Sequence, residues 1–296
     1  MSARTPKRLP FDIYTLAASL GQPVKQIRRT PYPYRTSHDL DELEVILADG
    51  TRREYLFKDS RRSALGAVAR RAKPAFLFDE SREGEAYRAL KQGGLAQDSY
   101  QEAGRNWILL KKVRGMELWQ VAEVEAWAEA ARWASRLHSH FAAQPPLSAH
   151  LLRYDLEYFR IWPTRAMRLH AELAGIVGRY QRVLDLLGEL PMTLIHGEYY
   201  PSNILVSDGI IVPIDWEMAG IGPGVIDLAA LVTGWGHSEI ATIIEAYGGV
   251  KNPQLDAARL HLALQWLGRQ RAWTPPPEHD FDWLAEAFSA ANRLGL

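Results

Sequence analysis

The sequence predicts an α+β fold in which a small β-rich N-terminal lobe precedes a larger, mainly helical C-terminal lobe. Two observations lead to this prediction. Alternating apolar residues and a hairpin signal occupy the first third of the chain, and helical periodicity dominates from residue 119 onward, interrupted by one central β-branched segment. The change falls near Arg114 and Gly115, which predicts one lobe over residues 1–113 and a second over residues 114–296.

The N-terminal lobe is predicted from a hairpin. Leu43, Val45 and Leu47 alternate with polar neighbours, and the turn signal Asp49-Gly50 leads into the strand-like run 55–58. The first 35 residues hold several prolines and are predicted to be irregular. Helices are predicted over 60–73 and 79–92, and a short strand over 107–113.

The C-terminal lobe is predicted mainly from period-3.6 patterns. A long amphipathic helix is expected over 119–142, and further helix over 152–188 with a break near Pro163. The segment 192–217 consists of short β-branched runs, which predicts strands. Beyond Asp227 the pattern is helical to the end, apart from the loop Pro275–Pro277.

The composition excludes several classes of function. Lys and Arg together number 35, as do Asp and Glu, and this balance argues against a nucleic-acid-binding face. The chain has no cysteine, and it has no apolar stretch of the roughly 18 residues that a membrane span requires. We therefore expect a cytoplasmic protein with neither nucleic acid nor membrane as partner, either a monomer or a homodimer. The basic residues around Arg61, Arg70 and Lys73 are predicted to form a solvated face, with contact to an anionic ligand as the alternative.

One constellation carries chemistry. A predicted strand leads into a loop with His196, Glu198 and Asn203, and a hairpin then returns to Asp215 and Glu217. Because Asn203 and Asp215 flank the two arms of the hairpin, their side chains are expected to converge. Amide and carboxylate oxygens are ligands that suit Mg²⁺, which takes the rest of its shell from water and phosphates. Glu198 is a carboxylate that could accept a proton from a hydroxyl group.

This segment resembles the catalytic loop and metal motif of the aminoglycoside phosphotransferase and choline kinase family, which shares the protein-kinase fold. The family loop reads His-Gly-Asp, four residues, Asn, and here it reads His196-Gly197-Glu198, four residues, Asn203. The metal motif Ile-Asp-Trp-Glu corresponds to residues 214–217. The match extends to Gly220 and to Asp227-Leu228-Ala229.

The resemblance implies a role for each matching residue. Glu198 would be the catalytic residue, and Asn203 and Asp215 would bind the metal. Asp227 and His196 would hold the loop. In the N-terminal lobe, Lys58 would bind the α- and β-phosphates of the nucleotide, with Glu83 as its partner and Glu85 as the competing choice.

Two features depart from the family pattern. Glu198 replaces the usual aspartate and reaches one methylene farther, in a reaction that is sensitive to shifts near 1 Å. The glycine-rich loop over the phosphates is also missing, because residues 31–37 contain no glycine. Backbone N–H groups or the hydroxyls of Thr36 and Ser37 are the expected substitutes.

We therefore expect a kinase that transfers the γ-phosphate of ATP or GTP, held with Mg²⁺, to a hydroxyl of a small molecule. A sugar, an aminoglycoside-like compound and an amino alcohol all remain open as acceptors. The tryptophans of the helical part, Trp235, Trp266, Trp273 and Trp283, are expected in the core and at its rim, with an aromatic acceptor pocket as the alternative. A pseudokinase that binds nucleotide without turnover is the first alternative function. A protein kinase is the second, although only about a dozen residues separate Asp215 from Asp227, too few for a peptide-docking segment.

Overall fold

The computed structural model describes residues 9–32, 38, 40–66, 73–96, 100–104, 106–269 and 281–296. The chain forms two compact units. The N-terminal unit comprises Met1–Arg70 and Phe78–Arg114, and the C-terminal unit comprises Arg71–Leu77 and Gly115–Leu296. The α+β fold class is confirmed, since a five-stranded sheet dominates the first unit and helices dominate the second.

The N-terminal unit is built on an antiparallel sheet with strand order β1-β2-β3-β5-β4. Its elements are β1 Val24–Pro31, β2 Leu40–Leu47, β3 Arg52–Asp59, β4 Tyr100–Ala103 and β5 Trp107–Lys111, with helices α1 Ile13–Leu20 and α2 Arg82–Gln92. The predicted hairpin is β2–β3, in which Leu43 pairs with Tyr55. Alternate residues of β2 are buried in the core of this unit, as the sequence pattern requires.

The prediction that the first 35 residues are irregular is wrong for the described residues 9–32, which form a helix and a strand. Asp12 caps α1 by accepting a hydrogen bond from the Thr15 backbone N–H at 2.8 Å, and Gly21 ends the helix with φ 64°. β1 is an edge strand with a largely polar, exposed face. Its backbone pairing with β2 stabilises a segment whose side chains show no strand pattern.

The helix predicted over 60–73 is also wrong for its described part, where only a 3₁₀ turn, Arg62–Ala64, forms before residue 66. The helix predicted over 79–92 is present as α2. Ser81 precedes it, but the Ser81 side chain makes no capping hydrogen bond.

The C-terminal unit contains eight helices in its described residues. They are α3 Val124–Ala142, α4 Leu156–Leu169, α5 Ala174–Val177, α6 Gln181–Gly188, α7 Val225–Leu231, α8 His237–Tyr247, α9 Asn252–Leu267 and α10 Trp283–Arg293. α3 begins five residues later than predicted, because Leu118–Gln120 form a separate 3₁₀ turn and Val121 is extended.

The predicted break at Pro163 does not occur. Pro163 lies inside α4, although an interior proline costs about 3 kcal/mol. Phe159, Trp162 and Ala166 of the same helix are all fully buried, and this burial outweighs the lost hydrogen bond. The helix ends instead after Leu169, where His170 leaves helical geometry.

Two three-stranded sheets in the C-terminal unit position the predicted site. Their strands are β6 Met116–Glu117, β7 Leu152–Arg153, β8 Met192–Ile195, β9 Ile204–Ser207, β10 Ile210–Pro213 and β11 Gly220–Pro223. One sheet has the order β10-β9-β6, and the other has the order β7-β11-β8. The loop 196–203, which the sequence predicts to be catalytic, leaves the second sheet at β8 and enters the first at β9.

None of the helices in the described part of the chain is both long enough and apolar enough to cross a membrane.

Candidate active site

Lys58 and Glu83 form a buried ion pair in the N-terminal unit. The Lys58 ammonium at the end of β3 lies 2.7 Å from the Glu83 carboxylate in the first turn of α2. Both side chains are almost completely buried. Glu85, the competing partner, instead pairs with Arg88 on the same helix at 2.6 Å. Two residues along a helix face different directions, so only one glutamate meets the lysine.

The loop after β8 turns sharply at Gly197, whose φ is 80°. A side chain at this position would collide with the Tyr154 hydroxyl and the Met218 carbonyl, so glycine is required for both conformation and space. His196 stabilises the loop with a hydrogen bond at each of its ring nitrogens. Its Nε2 donates to the Ile214 carbonyl at 2.8 Å, and its Nδ1 accepts from the Glu198 backbone N–H at 3.3 Å.

Asp227 braces the same loop from the first turn of α7. Its carboxylate accepts hydrogen bonds from the backbone N–H of His196 at 2.7 Å and of Gly197 at 2.9 Å. A third contact comes from His138 Nε2 at 3.1 Å, and the other ring nitrogen of His138 meets the Tyr247 hydroxyl at 2.8 Å. Asp227 is fully buried. This is the structural role that the sequence resemblance implies for it.

Asn203 and Asp215 lie at the open end of the β9–β10 hairpin. The Asn203 carbonyl accepts from the Ile214 N–H at 2.9 Å, which places Asn203 beside the residue that precedes Asp215. The Asn203 amide donates to the Glu198 carbonyl at 2.9 Å and thereby directs its Oδ1 away from that contact. Asp215 itself has a left-handed backbone, with φ 61°.

This donor set fits Mg²⁺. Two oxygen ligands from the protein are enough for an ion that keeps several waters and binds substrate phosphates. No group of three or more His, Cys, Asp or Glu residues in the described part of the chain could hold a metal alone.

Glu198 is buried and forms an ion pair that was not predicted from the sequence. The Arg269 guanidinium, two residues beyond the end of α9, lies 2.5 Å from the Glu198 carboxylate. Burial alone would lower the pKa of Arg269, but the Glu198 carboxylate and two neighbouring tyrosines leave it raised. The pair is 71 residues apart in sequence, and no local pattern signals it.

Lys73 is a second cation of this site that was not predicted from the sequence. It pairs with Glu217 of the metal motif, and both side chains are nearly buried. Burial opposes the charged form, but the carboxylates of Glu217, Glu198 and Asp215 outweigh it and raise the pKa of Lys73. The expectation of a solvated basic face is therefore wrong for Lys73. Arg70 lies outside the described residues, and Arg61 pairs with Asp59.

Arg269 packs against a tryptophan that belongs to a small aromatic cluster. Its guanidinium lies 4.5 Å from the centroid of the Trp266 ring, and the Trp266 indole N–H donates to the Tyr200 hydroxyl at 2.6 Å. Trp266 and Trp283 stack with centroids 5.3 Å apart. Trp235 is half-buried and packs edge-on against another tryptophan of its unit.

Several predicted residues lie outside the described part of the chain. Ser37 and Thr36, expected at the phosphates, belong to this group, as does Trp273. Their predicted roles stay predictions.

Comparison with known proteins gives a family. The model of the phosphotransferase enzyme family APH matches residues 37–261, about three quarters of the chain. The chain belongs to this family. The match spans residues 196–203, residues 214–217 and Asp227, and it confirms the family resemblance seen in the sequence. No curated protein matches the sequence.

Solved structures show that other phosphotransferases share the fold. Choline kinase LicA from Streptococcus pneumoniae is 15% identical, with a TM-score of 0.59 over 96% of this chain and 97% of LicA. Macrolide 2'-phosphotransferase MphH from Brachybacterium faecium is 18% identical, with a TM-score of 0.53 over 95% and 96%. The ternary complex of APH(2")-IIa with streptomycin and ATP is 14% identical, with a TM-score of 0.52 over 97% of both chains. At these identities the likeness establishes the fold alone.

Proposed function

We propose that this APH-family phosphotransferase moves the γ-phosphoryl group of ATP or GTP to a hydroxyl of a small molecule. The observation that carries the proposal is the loop held by Asp227, which brings Glu198 and Asn203 together at the hairpin end that also bears Asp215. We further propose that residues 1–113 form the nucleotide-binding lobe and that residues 114–296 carry the catalytic loop and the acceptor site. The ATP complex of a protein with the same fold favours ATP as donor.

Each residue has a role in the proposed reaction. Lys58, fixed by Glu83, binds phosphate oxygens of the nucleotide as a point charge. Asn203 and Asp215 hold Mg²⁺, which when bound neutralises charge on the phosphates. Ser37 is proposed to donate a hydrogen bond to a phosphate oxygen. Lys73 adds a further positive charge beside the acids of the metal motif.

Glu198 acts on the acceptor. Its carboxylate accepts a hydrogen bond from the acceptor hydroxyl and orients the oxygen toward the γ-phosphorus. The acceptor oxygen forms the new bond to phosphorus as the bond from phosphorus to the β–γ bridging oxygen breaks. The hydroxyl proton passes to Glu198, and the nucleoside diphosphate leaves with the bridging oxygen.

The acceptor class remains a sugar, an aminoglycoside-like compound or an amino alcohol. Choline, macrolide and streptomycin appear in the names of proteins with this fold, and each carries a hydroxyl group. We propose a cytoplasmic protein, monomeric or homodimeric, that has no nucleic-acid or membrane partner.

A calorimetric titration of ATP and GTP with and without Mg²⁺ tests the proposal. We expect magnesium-dependent binding by the native protein and its loss in Asp215→Ala. Asp185→Ala, which changes an exposed acid on α6, is the matched control and should bind as the native protein does. Unchanged magnesium-dependent binding in Asp215→Ala would reject the metal-ligand assignment.

A nucleotide-binding pseudokinase is the second candidate, and the engagement of Glu198 by Arg269 favours it. An acceptor screen that measures ADP release separates the two functions. Binding of Mg-ATP with no ADP release above the acceptor-free rate, for any member of a broad alcohol panel, would favour the pseudokinase.

A further inference from the structure

We propose that Arg269 is a positioning residue that holds the longer Glu198 carboxylate in place for the acceptor hydroxyl. This inference rests on the proposed function. It addresses the departure of Glu198 from the aspartate of the family loop. A glutamate carboxylate extends about 1.5 Å farther from its backbone and has one additional rotatable bond. An unrestrained glutamate would therefore sample positions that are useless for orienting a hydroxyl.

The contact between the two side chains is well suited to restrain Glu198. The guanidinium is planar and presents its N–H groups in fixed directions, so it holds a carboxylate with more directional control than an ammonium does. Arg269 and Glu198 retain only 11% and 10% of their side-chain exposure. Water competes weakly for such a pair, and removing one partner leaves a buried charge uncompensated.

Arg269 is itself held in place by contacts that lead back to the loop containing Glu198. Its guanidinium packs on Trp266, Trp266 donates to Tyr200, and Tyr200 is two residues beyond Glu198. The contacts therefore run without interruption through four side chains and begin and end in the same loop: Glu198, Arg269, Trp266 and Tyr200. A guanidinium over an indole face is attracted to the π-electrons of the ring, which favours one orientation of Arg269. These contacts hold the Glu198 side chain, whereas Asp227 holds the backbone of the same loop.

The arrangement makes the effects of residues 198 and 269 depend on each other. If Arg269 positions the glutamate, an aspartate at 198 falls short while it remains attracted to the guanidinium. Without the guanidinium, the shortening should matter less. A residue that acted only on folding would instead change stability without this coupling.

The test uses the full-length protein and two measurements. The first is the crystal structure of Arg269→Gln, in which we expect the Glu198 carboxylate to leave its native position. The second is ADP release in Mg-ATP with water as the acceptor, for Glu198→Asp, Arg269→Gln, Arg269→Lys and the Glu198→Asp/Arg269→Gln double variant. We expect Arg269→Gln to lower kcat roughly 10- to 100-fold while the KM for ATP changes by less than about 2-fold. The kcat of Arg269→Lys should lie between those of the native protein and Arg269→Gln.

The coupling is the decisive kinetic result. We expect Glu198→Asp to cost at least about 5-fold less in the Arg269→Gln background than in the native one. Arg259→Gln is the matched control, because it breaks a similarly buried pair with Glu286 in the same unit. It should leave kcat unchanged within about 2-fold. A similar loss in Arg259→Gln would assign the effect of Arg269 to folding and overturn the proposal.

Two other outcomes would also overturn it. A Glu198 carboxylate that keeps its position in the Arg269→Gln crystal would show that Arg269 does not position it. Faster ADP release in Arg269→Gln would show that Arg269 restrains the glutamate in an inactive state. The crystal structure does not depend on turnover. If the native protein fails to bind Mg-ATP, the proposed function fails while the positioning of Glu198 is still decided.

Discussion

The Lys58–Glu83 pair and the Glu198–Arg269 pair are both buried contacts between a carboxylate and a cation, but the backbone supports them differently. In the first pair, the lysine lies on a strand and the glutamate in the first turn of a helix. In the second, the glutamate lies in a loop and the arginine follows the end of a helix. Regular elements hold the first pair through their own backbone hydrogen bonds. The second depends on side chains that brace the loop, above all Asp227.

The largest effect that separates these two regions should come from Asp227→Ala. This change leaves two buried backbone N–H groups without an acceptor and removes one of the two hydrogen-bond partners of His138. We expect the free energy of unfolding to fall by about 3–5 kcal/mol, measured by urea denaturation. ADP release should be lost with it, because Glu198 and Asn203 no longer have a defined loop.

Asp227→Asn sharpens this prediction, because the amide oxygen can still accept from one N–H. The free energy of unfolding should fall less in Asp227→Asn than in Asp227→Ala. A loss below about 1 kcal/mol in Asp227→Ala would mean that the loop holds its shape without the brace, and the comparison between the two regions would fail.

Changes to the Lys58–Glu83 pair should lower activity, because Lys58 is the proposed contact to the nucleotide phosphates. We expect Lys58→Met to lower kcat/KM for ATP roughly 100-fold, which corresponds to about 2.7 kcal/mol, because a phosphate contact is lost. Glu83→Gln should cost about 10-fold by leaving the lysine less well oriented. Steady-state ADP release at varied ATP concentration measures both.

Glu85→Gln is the control for Glu83→Gln, since the two glutamates are two positions apart on α2 and Glu85 pairs with Arg88 instead. It should leave kcat/KM unchanged within about 2-fold. Equal losses in both variants would show that the activity does not distinguish the partner of Lys58 from its neighbour.

This contrast also explains how much the sequence could predict. The β2–β3 hairpin and the motif around Glu198, Asn203 and Asp215 were predictable, because turn residues, alternation and motif spacing are local. The ion pair of Glu198 with Arg269 was not, because 71 residues and several helices separate the partners. Contacts of this kind are decided by packing, which no local pattern encodes.

The errors have the same origin. The β1 strand was missed because its exposed side chains carry no alternation and its stability comes from pairing with β2. The break expected at Pro163 was wrong because burial of the surrounding helix face outweighs local preference. Lys73 was read as part of a solvated basic stretch, although it is nearly buried against Glu217. In each case tertiary contacts overrode a local preference.

The smaller effect on stability should be a dependence of the free energy of unfolding on pH, which arises from a buried histidine of α9. His261 lies on α9, two turns before Arg269, and it is completely buried with its Nδ1 3.0 Å from the Tyr180 hydroxyl. Burial lowers its pKa to about 3 from an ordinary value near 6.5. Between these two values the unfolded chain binds a proton that the folded chain does not. The free energy of unfolding therefore falls as the pH drops below about 6.5 and is independent of this group above it.

At pH 5 the loss from His261 should be about 2 kcal/mol, since each pH unit between the two pKa values contributes about 1.4 kcal/mol. His261→Gln removes the titrating group and should flatten the dependence of unfolding free energy on pH between pH 7 and 5, whatever its constant cost. His237→Gln, which changes an exposed histidine at the start of α8, should leave the dependence as it is. An unaltered slope in His261→Gln would show that mild acid weakens this unit through other groups. In the native protein, mild acid should therefore destabilise α9, which Arg269 follows by two residues, whereas Lys58 and Glu83 stay supported by β3 and α2.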